Sequence, residues 1–251
     1  MGKRKICKIV FVILSIFLCV AFYELFGICI AYKKQPEVSN TIKKETQNDS
    51  WNERSENMER AVIIEKNPEA LLQRVRLIKN AKKEIILSTF AFQSDESGKL
   101  ILGALHDAAD RGVHIRLLVD GMESWIDMEG NPYFYGLSSH ENVEIKLYNK
   151  ANPLKPWKMM GRMHDKYLIA DGKRYILGGR NTYNYFLGDF PGHKNYDRDV
   201  LVVCDEPEKE NSVNQLLEYF ETIWEQEDSG YFHDNKKLAN RKSVKNAVLE
   251  L

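Results

Sequence analysis

Cysteine is nearly absent from the part of the chain that has the composition of a folded domain. Three of the four cysteines lie before residue 30, and only Cys204 lies in the rest of the sequence. A disulfide within the domain is therefore excluded, and so is the paired-cysteine spacing of a structural zinc site. The fold has to be stabilised by an apolar core.

The chain also lacks net charge, because 36 basic residues balance 36 acidic ones. Residues 1–50 hold eight Lys or Arg against four Asp or Glu, which leaves 28 against 32 for the remainder. A domain that binds nucleic acid usually has a broad basic surface. The mildly acidic remainder argues against nucleic acid as a partner, and affinity for phosphate has to come from a local cluster of cations.

One long apolar run lies near the N-terminus. Residues 9–32 would form roughly 36 Å of helix, enough to cross a bilayer and longer than the apolar core of a secretory signal. Glu24 is the one charged residue inside the run. The flanking cations are Lys3, Arg4, Lys5 and Lys8 before the run and Lys33 and Lys34 after it. Since positive charge favours the cytoplasmic side, we predict a single-pass protein of the cell membrane with a cytoplasmic N-terminus and an extracytoplasmic domain.

The chain is predicted to have four parts. They are a short basic N-terminus at 1–8, a transmembrane helix at 9–32, a flexible polar tether at 33–60, and one folded domain at 61–251. The tether is assigned because its sequence is polar, charged and without hydrophobic periodicity.

Alternating hydrophobic patterns predict an α/β fold for the domain. The predicted helices are 68–82, 97–111 and 207–226, and the predicted strands are 84–92, 113–119, 143–148, 163–170, 175–177 and 199–204. Pro207 would lie in the first turn of the last helix, where a missing N–H does no harm. Strands that alternate with helices of this length favour a sandwich with a mostly parallel or mixed sheet flanked by helices.

Residues 162–181, with the sequence RMHDKYLIADGKRYILGGRN, concentrate the polar groups that chemistry needs. His164 and Lys166 are two positions apart on a predicted strand, so their side chains leave the same face. Two glycines allow close backbone approach just before Asn181. An imidazole, an ammonium and an amide at one end of a sheet supply the nucleophile and the fixed donors that phosphodiester chemistry requires.

The pattern H-x-K-x4-D followed by G-G-x-N resembles the signature of the phospholipase D superfamily. The matching residues are His164, Lys166, Asp171, Gly178, Gly179 and Asn181. The flanking segments 90–120 and 196–203 resemble those of bacterial cardiolipin-synthase-like members, and the likeness covers about residues 60–228. It implies a phospholipase D-like sandwich that needs neither a cofactor nor a catalytic metal.

The resemblance also implies a role for each matching residue. His164 would attack phosphorus and form a phosphohistidine intermediate. Lys166 and Asn181 would hold the nonbridging oxygens, with Gly179 beside the substrate. Asp171 would support the geometry of the motif.

A further carboxylate is implied by the acidic strand downstream of the motif. Asp197 would accept a hydrogen bond from the ring of His164 and fix its tautomer. Asp199 lies two residues on and faces the same side of that strand, so it is the alternative partner. His193, in the loop before this strand, is interpreted as a solvated loop residue.

The motif occurs once, whereas the complete site of the family uses two copies. One histidine attacks and the other protonates the leaving alcohol, and no histidine other than His164 lies in an H-x-K pattern. Either two chains pair as a homodimer, or the chain is the first half of a bilobal enzyme. Its likeness to first-half sequences favours the second origin, and both stay open.

These observations predict a membrane-anchored phosphodiesterase or phosphatidyltransferase that acts on phospholipids, as phospholipase D and cardiolipin synthase do. The alternatives are a single-motif homodimeric nuclease and a catalytically incomplete half of a bilobal enzyme. Residues 149–163 join four cations to apolar side chains directly before His164, and they form either a rim for anionic headgroups or an ordinary loop. Hydrolysis and transfer share the same intermediate, so the sequence leaves both open.

Overall fold

The computed structural model of the chain describes residues 3–33, 40, 44, 59–158, 160–205, 211–233 and 237–251. The described residues form two units. The first contains the N-terminal helix and the segment Ala151–Gly161, and the second contains the other residues from the first strand onward. Most of the predicted tether at 33–60 lies outside the described residues.

The N-terminal helix, α1, runs without interruption over Lys3–Lys33. Its stretch Lys5–Ile30 is long and apolar enough to cross a membrane. The observed helix contains the predicted range 9–32 and extends it by one turn and a half towards the basic N-terminus. In the same unit, the segment Ala151–Gly161 contains a short 3-10 turn at Pro156–Lys158, which packs against α1.

The second unit alternates strands and helices. The strands are β1 (Glu59–Ile64), β2 (Glu84–Thr89), β3 (His114–Asp120), β4 (Val143–Tyr148), β5 (Tyr167–Ala170), β6 (Arg174–Gly178), β7 (Asp199–Cys204) and β8 (Ser229–Tyr231). The helices are α2 (Asn67–Asn80), α3 (Glu96–Asp110), α4 (Gly121–Asp127), α5 (Pro132–Ser138), α6 (Ser212–Trp224) and α7 (Lys242–Glu250).

All eight strands belong to one mixed sheet in the order β1-β7-β6-β5-β2-β3-β4-β8. The pairs β2–β3 and β3–β4 are parallel, and the other neighbouring pairs are antiparallel. The prediction of a mixed sheet is confirmed, and antiparallel pairs outnumber parallel ones. One of the five antiparallel pairs is the hairpin of β5 and β6, in which a short turn reverses the chain.

Helices cover both faces of the sheet and make a sandwich. On one face Ile78, Leu102 and Phe134 from α2, α3 and α5 pack on the strands, and on the other face Phe220 and Trp224 from α6 do so. Successive side chains of a strand alternate between the two cores, as the pleat requires. In β5 the alternate residues Leu168 and Ala170 belong to the first core, and Tyr167 and Ile169 to the second.

The strand that carries the motif is shorter than predicted. β5 begins at Tyr167, so His164 and Lys166 precede it in extended chain, and the prediction that they lie on the strand is wrong. The backbone N–H of Met163 donates to the carboxylate of Asp120 at 3.1 Å, and the carbonyl of His164 accepts from the ammonium of Lys166. Side chains therefore satisfy these two backbone groups, whereas the carbonyl of Lys166 still accepts from the backbone N–H of Gly178 in β6.

Other boundaries differ for local reasons. β1 begins at Glu59, inside the predicted tether, and pairs with β7 along its whole length. α6 begins at Ser212 because the side chain of Asn211 caps it, while Pro207 lies outside the described residues. The edge strand β1, the short elements β8, α4 and α5, and the C-terminal helix α7 were not predicted.

A buried ion network ties the sheet to α2. The carboxylate of Asp199 accepts from Arg74 at 2.8 Å and pairs with Arg180 at 3.2 Å, and all three side chains are buried. Arg180 also donates to the carbonyls of Ile64 and Glu65, just before α2. Charges taken out of water have to be paired in this way to persist in a core.

We expect Asp199→Asn to lower the free energy of unfolding by about 3–5 kcal/mol, because it leaves two buried arginines without their counter-charge. Urea unfolding of the full chain in detergent, followed by circular dichroism, measures the change. Asp205→Asn is the matched control: Asp205 pairs with Arg60 on the surface, and its loss should cost no more than about 1 kcal/mol. Equal losses in the two variants would contradict a structural role for the buried network.

Candidate active site

The candidate residues meet at one edge of the sheet. The strand registers pair Ser88 with Tyr167, Tyr167 with Leu177, and Gly178 with Asp199. Because each of these pairs is antiparallel, the ends of β2 and β6 adjoin the beginnings of β5 and β7. Residues that follow β2 or β6 and residues that precede β5 or β7 therefore lie at the same edge.

His164 stands at this edge with its ring partly exposed. The ring packs edge to face on Phe90, with the two centroids 4.5 Å apart. Partial burial, and then the charge of Lys166, lower the pKa of His164 from its ordinary value of 6.5, while Asp120 and Asp165 oppose the shift. A lowered pKa leaves more of the imidazole neutral near pH 7, and the neutral form is the nucleophile.

Lys166 is buried beneath His164. Its ammonium donates to the carbonyl of His164 at 2.7 Å and lies 5.4 Å from the centroid of the Phe90 ring. Burial lowers the pKa of Lys166, and the carboxylates of Asp165 and Asp197 act in the opposite direction. An ammonium has three N–H donors, so two remain to bind phosphate oxygens.

Asn181 supplies a further donor from the loop after β6. Its side chain is 6% exposed, and its carbonyl oxygen accepts from the backbone N–H of Ala91 at 3.3 Å. That hydrogen bond assigns the orientation of the amide, because it commits the oxygen and leaves the nitrogen as the donor. The amide nitrogen can then donate to a phosphate oxygen.

The glycine pair of the motif is explained by the aspartates of the next strand. A Cβ atom on Gly178 would overlap the carboxylate of Asp199, and one on Gly179 would overlap the carboxylate of Asp197. The sequence predicted close backbone approach at these glycines. The groups that approach are the two carboxylates, and any side chain here would displace them.

The two aspartates have different surroundings. Asp199 is held by the buried arginines described above, so it is not available to His164. Asp197 lies beside Gly179, accepts from the backbone N–H of Arg198 at 2.7 Å, and acts electrostatically on Lys166. Among the hydrogen bonds of the described residues there is none between the ring of His164 and either aspartate. Asp197 therefore stays a candidate whose predicted role no contact tests.

Asp171 lies at the opposite edge of the sheet. It follows β5, whose four residues span about 13 Å. Its carboxylate accepts from the backbone N–H groups of Lys82, Lys83 and Glu84 at 2.7–3.1 Å. The side chain thus fixes the turn into β2 against the end of β5, and it is not brought together with His164.

Three residues at the site, Phe90, Asp120 and Arg162, were not predicted from the sequence as site residues. Arg162 donates to Asp120 and Glu123, and its guanidinium carbon lies 4.9 Å from the centroid of the Phe90 ring. Phe90 therefore contacts the imidazole of His164 and faces two cations. Both Phe90 and Asp120 follow from their places at the carboxyl ends of neighbouring parallel strands, where α/β sheets usually bind ligands.

The other histidines have partners of their own. His106 and His140 share the carboxylate of Asp110, while His114 bonds Glu144 and His233 bonds Glu129. His193 is exposed, and its ring lies tilted against that of Tyr185 with the centroids 5.5 Å apart. Within the described ranges, no group of three His, Cys, Asp or Glu side chains is arranged to hold a metal ion.

Comparison with protein families gives one model match, over residues 74–224, to the family described as "Cardiolipin synthase, PLD-like domain". Among curated proteins, the chain is 29% identical over 171 residues to cardiolipin synthase C of Escherichia coli K12, covering 62% of this chain and 34% of that protein. The chain spans only 28–38% of the length of the first three curated relatives that it matches.

Solved structures share the fold at low sequence identity. NucT from Helicobacter pylori matches with a TM-score of 0.52 and 16% identity, covering 70% of this chain and all of that one. Phosphatidylserine synthase from Haemophilus influenzae Rd KW20 matches with a TM-score of 0.56 and 18% identity, covering 76% of this chain and 41% of that one. Both likenesses are evidence of the fold.

We expect Phe90→Leu to lower kcat by about 2- to 30-fold in a phosphodiesterase assay, because the ring's contacts with nearby cations are worth roughly 0.5–2 kcal/mol. Leucine keeps the apolar character and removes only the ring. Phe220→Leu is the control. Phe220 lies on α6, and the guanidinium of Arg116 from β3 lies over its ring. The loss of this ring should reduce stability and leave kcat unchanged. An unchanged kcat in Phe90→Leu would refute a role for the Phe90 ring in holding His164 and the two cations at the site.

Proposed function

Because the chain belongs to the family of cardiolipin synthase, PLD-like domains, we propose that it is a membrane-anchored phosphodiesterase or phosphatidyltransferase that acts on phospholipids. The observation that carries the proposal is the meeting of His164, Lys166 and Asn181 at one edge of the sheet. A weakly basic imidazole stands there in front of a buried ammonium and an oriented amide. Members of this superfamily are phosphodiesterases and phosphatidyltransferases, and the residues present suit that chemistry.

The proposed reaction has two steps. In the first, a nitrogen of His164 forms a bond to phosphorus while the bond from phosphorus to the leaving alcohol breaks, which gives a phosphohistidine. Lys166 and Asn181 donate to the nonbridging oxygens, where negative charge increases in the transition state. In the second, water or another alcohol attacks phosphorus and releases His164. Water completes hydrolysis, whereas an alcohol completes transfer.

Two features support lipid over nucleic acid as the substrate. The helix α1 is long and apolar enough to hold the chain in a membrane, with the N-terminus proposed to be cytoplasmic and the domain extracytoplasmic. The chain beyond residue 50 carries 28 basic and 32 acidic residues, so it lacks a broad attraction for nucleic acid. The second candidate, a homodimeric nuclease, is favoured by one observation: the H-x-K-x4-D motif occurs once in the sequence.

The leaving alcohol needs a proton donor that a single His164 cannot provide. While its nitrogen is bonded to phosphorus, a second group has to protonate the leaving oxygen, which is typically worth about 10²–10⁴-fold in rate. The second motif would come either from a second copy of this chain or from a second half. The two sources differ in whether the chain completes the site by pairing with itself.

We expect His164→Ala to reduce turnover of a phosphodiester by at least about 10³-fold, because it removes the nucleophile. His193→Ala should retain most of the activity, since His193 is an exposed loop residue whose ring lies against that of Tyr185. Release of the alcohol from a fluorescent phosphatidylglycerol by the purified full chain measures both. Equal losses in the two variants would contradict the assignment of His164.

The source of the second motif is tested by mixing wild-type and His164→Ala chains before reconstitution. If two chains share one site, an equal mixture should keep about one quarter of the wild-type activity, because both partners have to supply His164. If each chain acts alone, the mixture should keep about one half. A wild-type chain that is folded and inactive at every concentration would instead indicate a missing second half.

A further inference from the structure

The segment Ala151–Gly161 lies along α1 near that helix's C-terminal end. The hydroxyl of Tyr23 donates to the carbonyl of Leu154 at 2.9 Å. One turn further on, Pro156 packs so closely on Gly27 that a Cβ there would be 2.6 Å from its ring. Gly27 is buried by this contact, whereas most of the apolar side chains of α1 are exposed.

The position of the contact along α1 places it near a membrane surface. Counted from Lys8, the roughly 30 Å of hydrocarbon in a bilayer takes up about 20 helical residues. The span then ends near residue 28, and residues 23–27 lie in its last turns before the headgroups. Tyrosine is enriched at that depth, and its hydroxyl satisfies a backbone carbonyl that water would not reach deeper in the bilayer.

The exposed side chains of the segment suit the boundary between lipid and water. Leu154 is 78% exposed, Met160 51% and Trp157 44%, and between them Lys155 and Lys158 are exposed cations. Tryptophan and long apolar side chains insert at the level of the headgroups, while lysines remain in the aqueous layer and attract anionic lipids. A loop that only capped a protein core would bury these apolar groups.

We propose that Ala151–Gly161 is an interfacial element that is seated on the membrane span and binds anionic phospholipid headgroups. The inference rests on the proposed function, because it names the membrane surface from which that function's substrate is taken. Arg162, Met163 and His164 follow the segment directly, and three residues of chain reach at most about 11 Å. The headgroup-binding element and the nucleophile are therefore neighbours in the chain, and the lipid is captured at the bilayer surface.

The test is quenching of tryptophan fluorescence by phospholipids brominated near the headgroup. The full chain is reconstituted in vesicles of phosphatidylcholine with and without phosphatidylglycerol. We expect Trp157→Phe to lose most of the lipid-dependent quenching. Trp125→Phe is the matched control, because Trp125 is 63% exposed on α4 in the other unit, and it should keep most of the quenching. Wild-type quenching in Trp157→Phe, or an equal loss in Trp125→Phe, would overturn the proposal.

A second variant tests the seat on the helix. Gly27→Leu places a side chain where Pro156 now packs, so it should reduce the quenching that Trp157 contributes, while Cys29→Leu, on an exposed part of α1, should not. Quenching that persists in Gly27→Leu would refute the contact between the segment and α1 as the feature that holds Trp157 at the membrane. Quenching that is the same without phosphatidylglycerol would refute headgroup selectivity. Because quenching requires no turnover, an inactive chain that passes these tests would overturn the proposed function alone.

Discussion

The contact between the glycine pair at the end of β6 and the two aspartates at the start of β7 fixes the geometry of the candidate site. Gly178 and Gly179 admit the carboxylates of Asp199 and Asp197 into space that any side chain would fill. Asp199 is then buried against two arginines, one of which, Arg180, directly precedes Asn181. The same ion network that stabilises the fold therefore holds the loop that aims the amide at the site. Asp197, two residues before Asp199, is half-buried and acts electrostatically on Lys166.

Local electrostatics compensate for the mildly acidic charge of the domain. Lys166 and Arg162 lie close to His164 before any phosphate is bound, and their mutual repulsion has to be offset. Asp120 and Glu123 pair with Arg162, and the ring of Phe90 presents its π-electrons to both cations. Partial burial of the ring, and then the charge of Lys166, lower the pKa of His164. The lowered pKa leaves more of this imidazole neutral near pH 7, as the proposed nucleophilic role requires.

The sequence predicted the fold class and the residues of the motif because these depend on local patterns. Alternating apolar periods identified β2, β3, β4 and β7, and the turn after β5 followed from Asp171. The prediction that His164 and Lys166 lie on a strand was wrong, since β5 begins at Tyr167 and the carbonyl of His164 is satisfied by a side chain. Three features could not be predicted: the place of Asp171 at the far edge, the role of the arginines and the contact with Phe90. Each depends on how segments that are distant in the sequence pair in the sheet, and no local pattern encodes that pairing.

The central claim is that the ring of His164 forms a covalent bond to phosphorus during turnover. The most direct measurement mixes the full chain with a phospholipid substrate, stops the reaction within one turnover under alkaline conditions that preserve phosphohistidine, and maps the adduct by peptide mass spectrometry. The account predicts a phosphatidyl group on the peptide that contains His164, with none in His164→Ala. An adduct on another residue, or turnover at full rate with no adduct at any time, would contradict it.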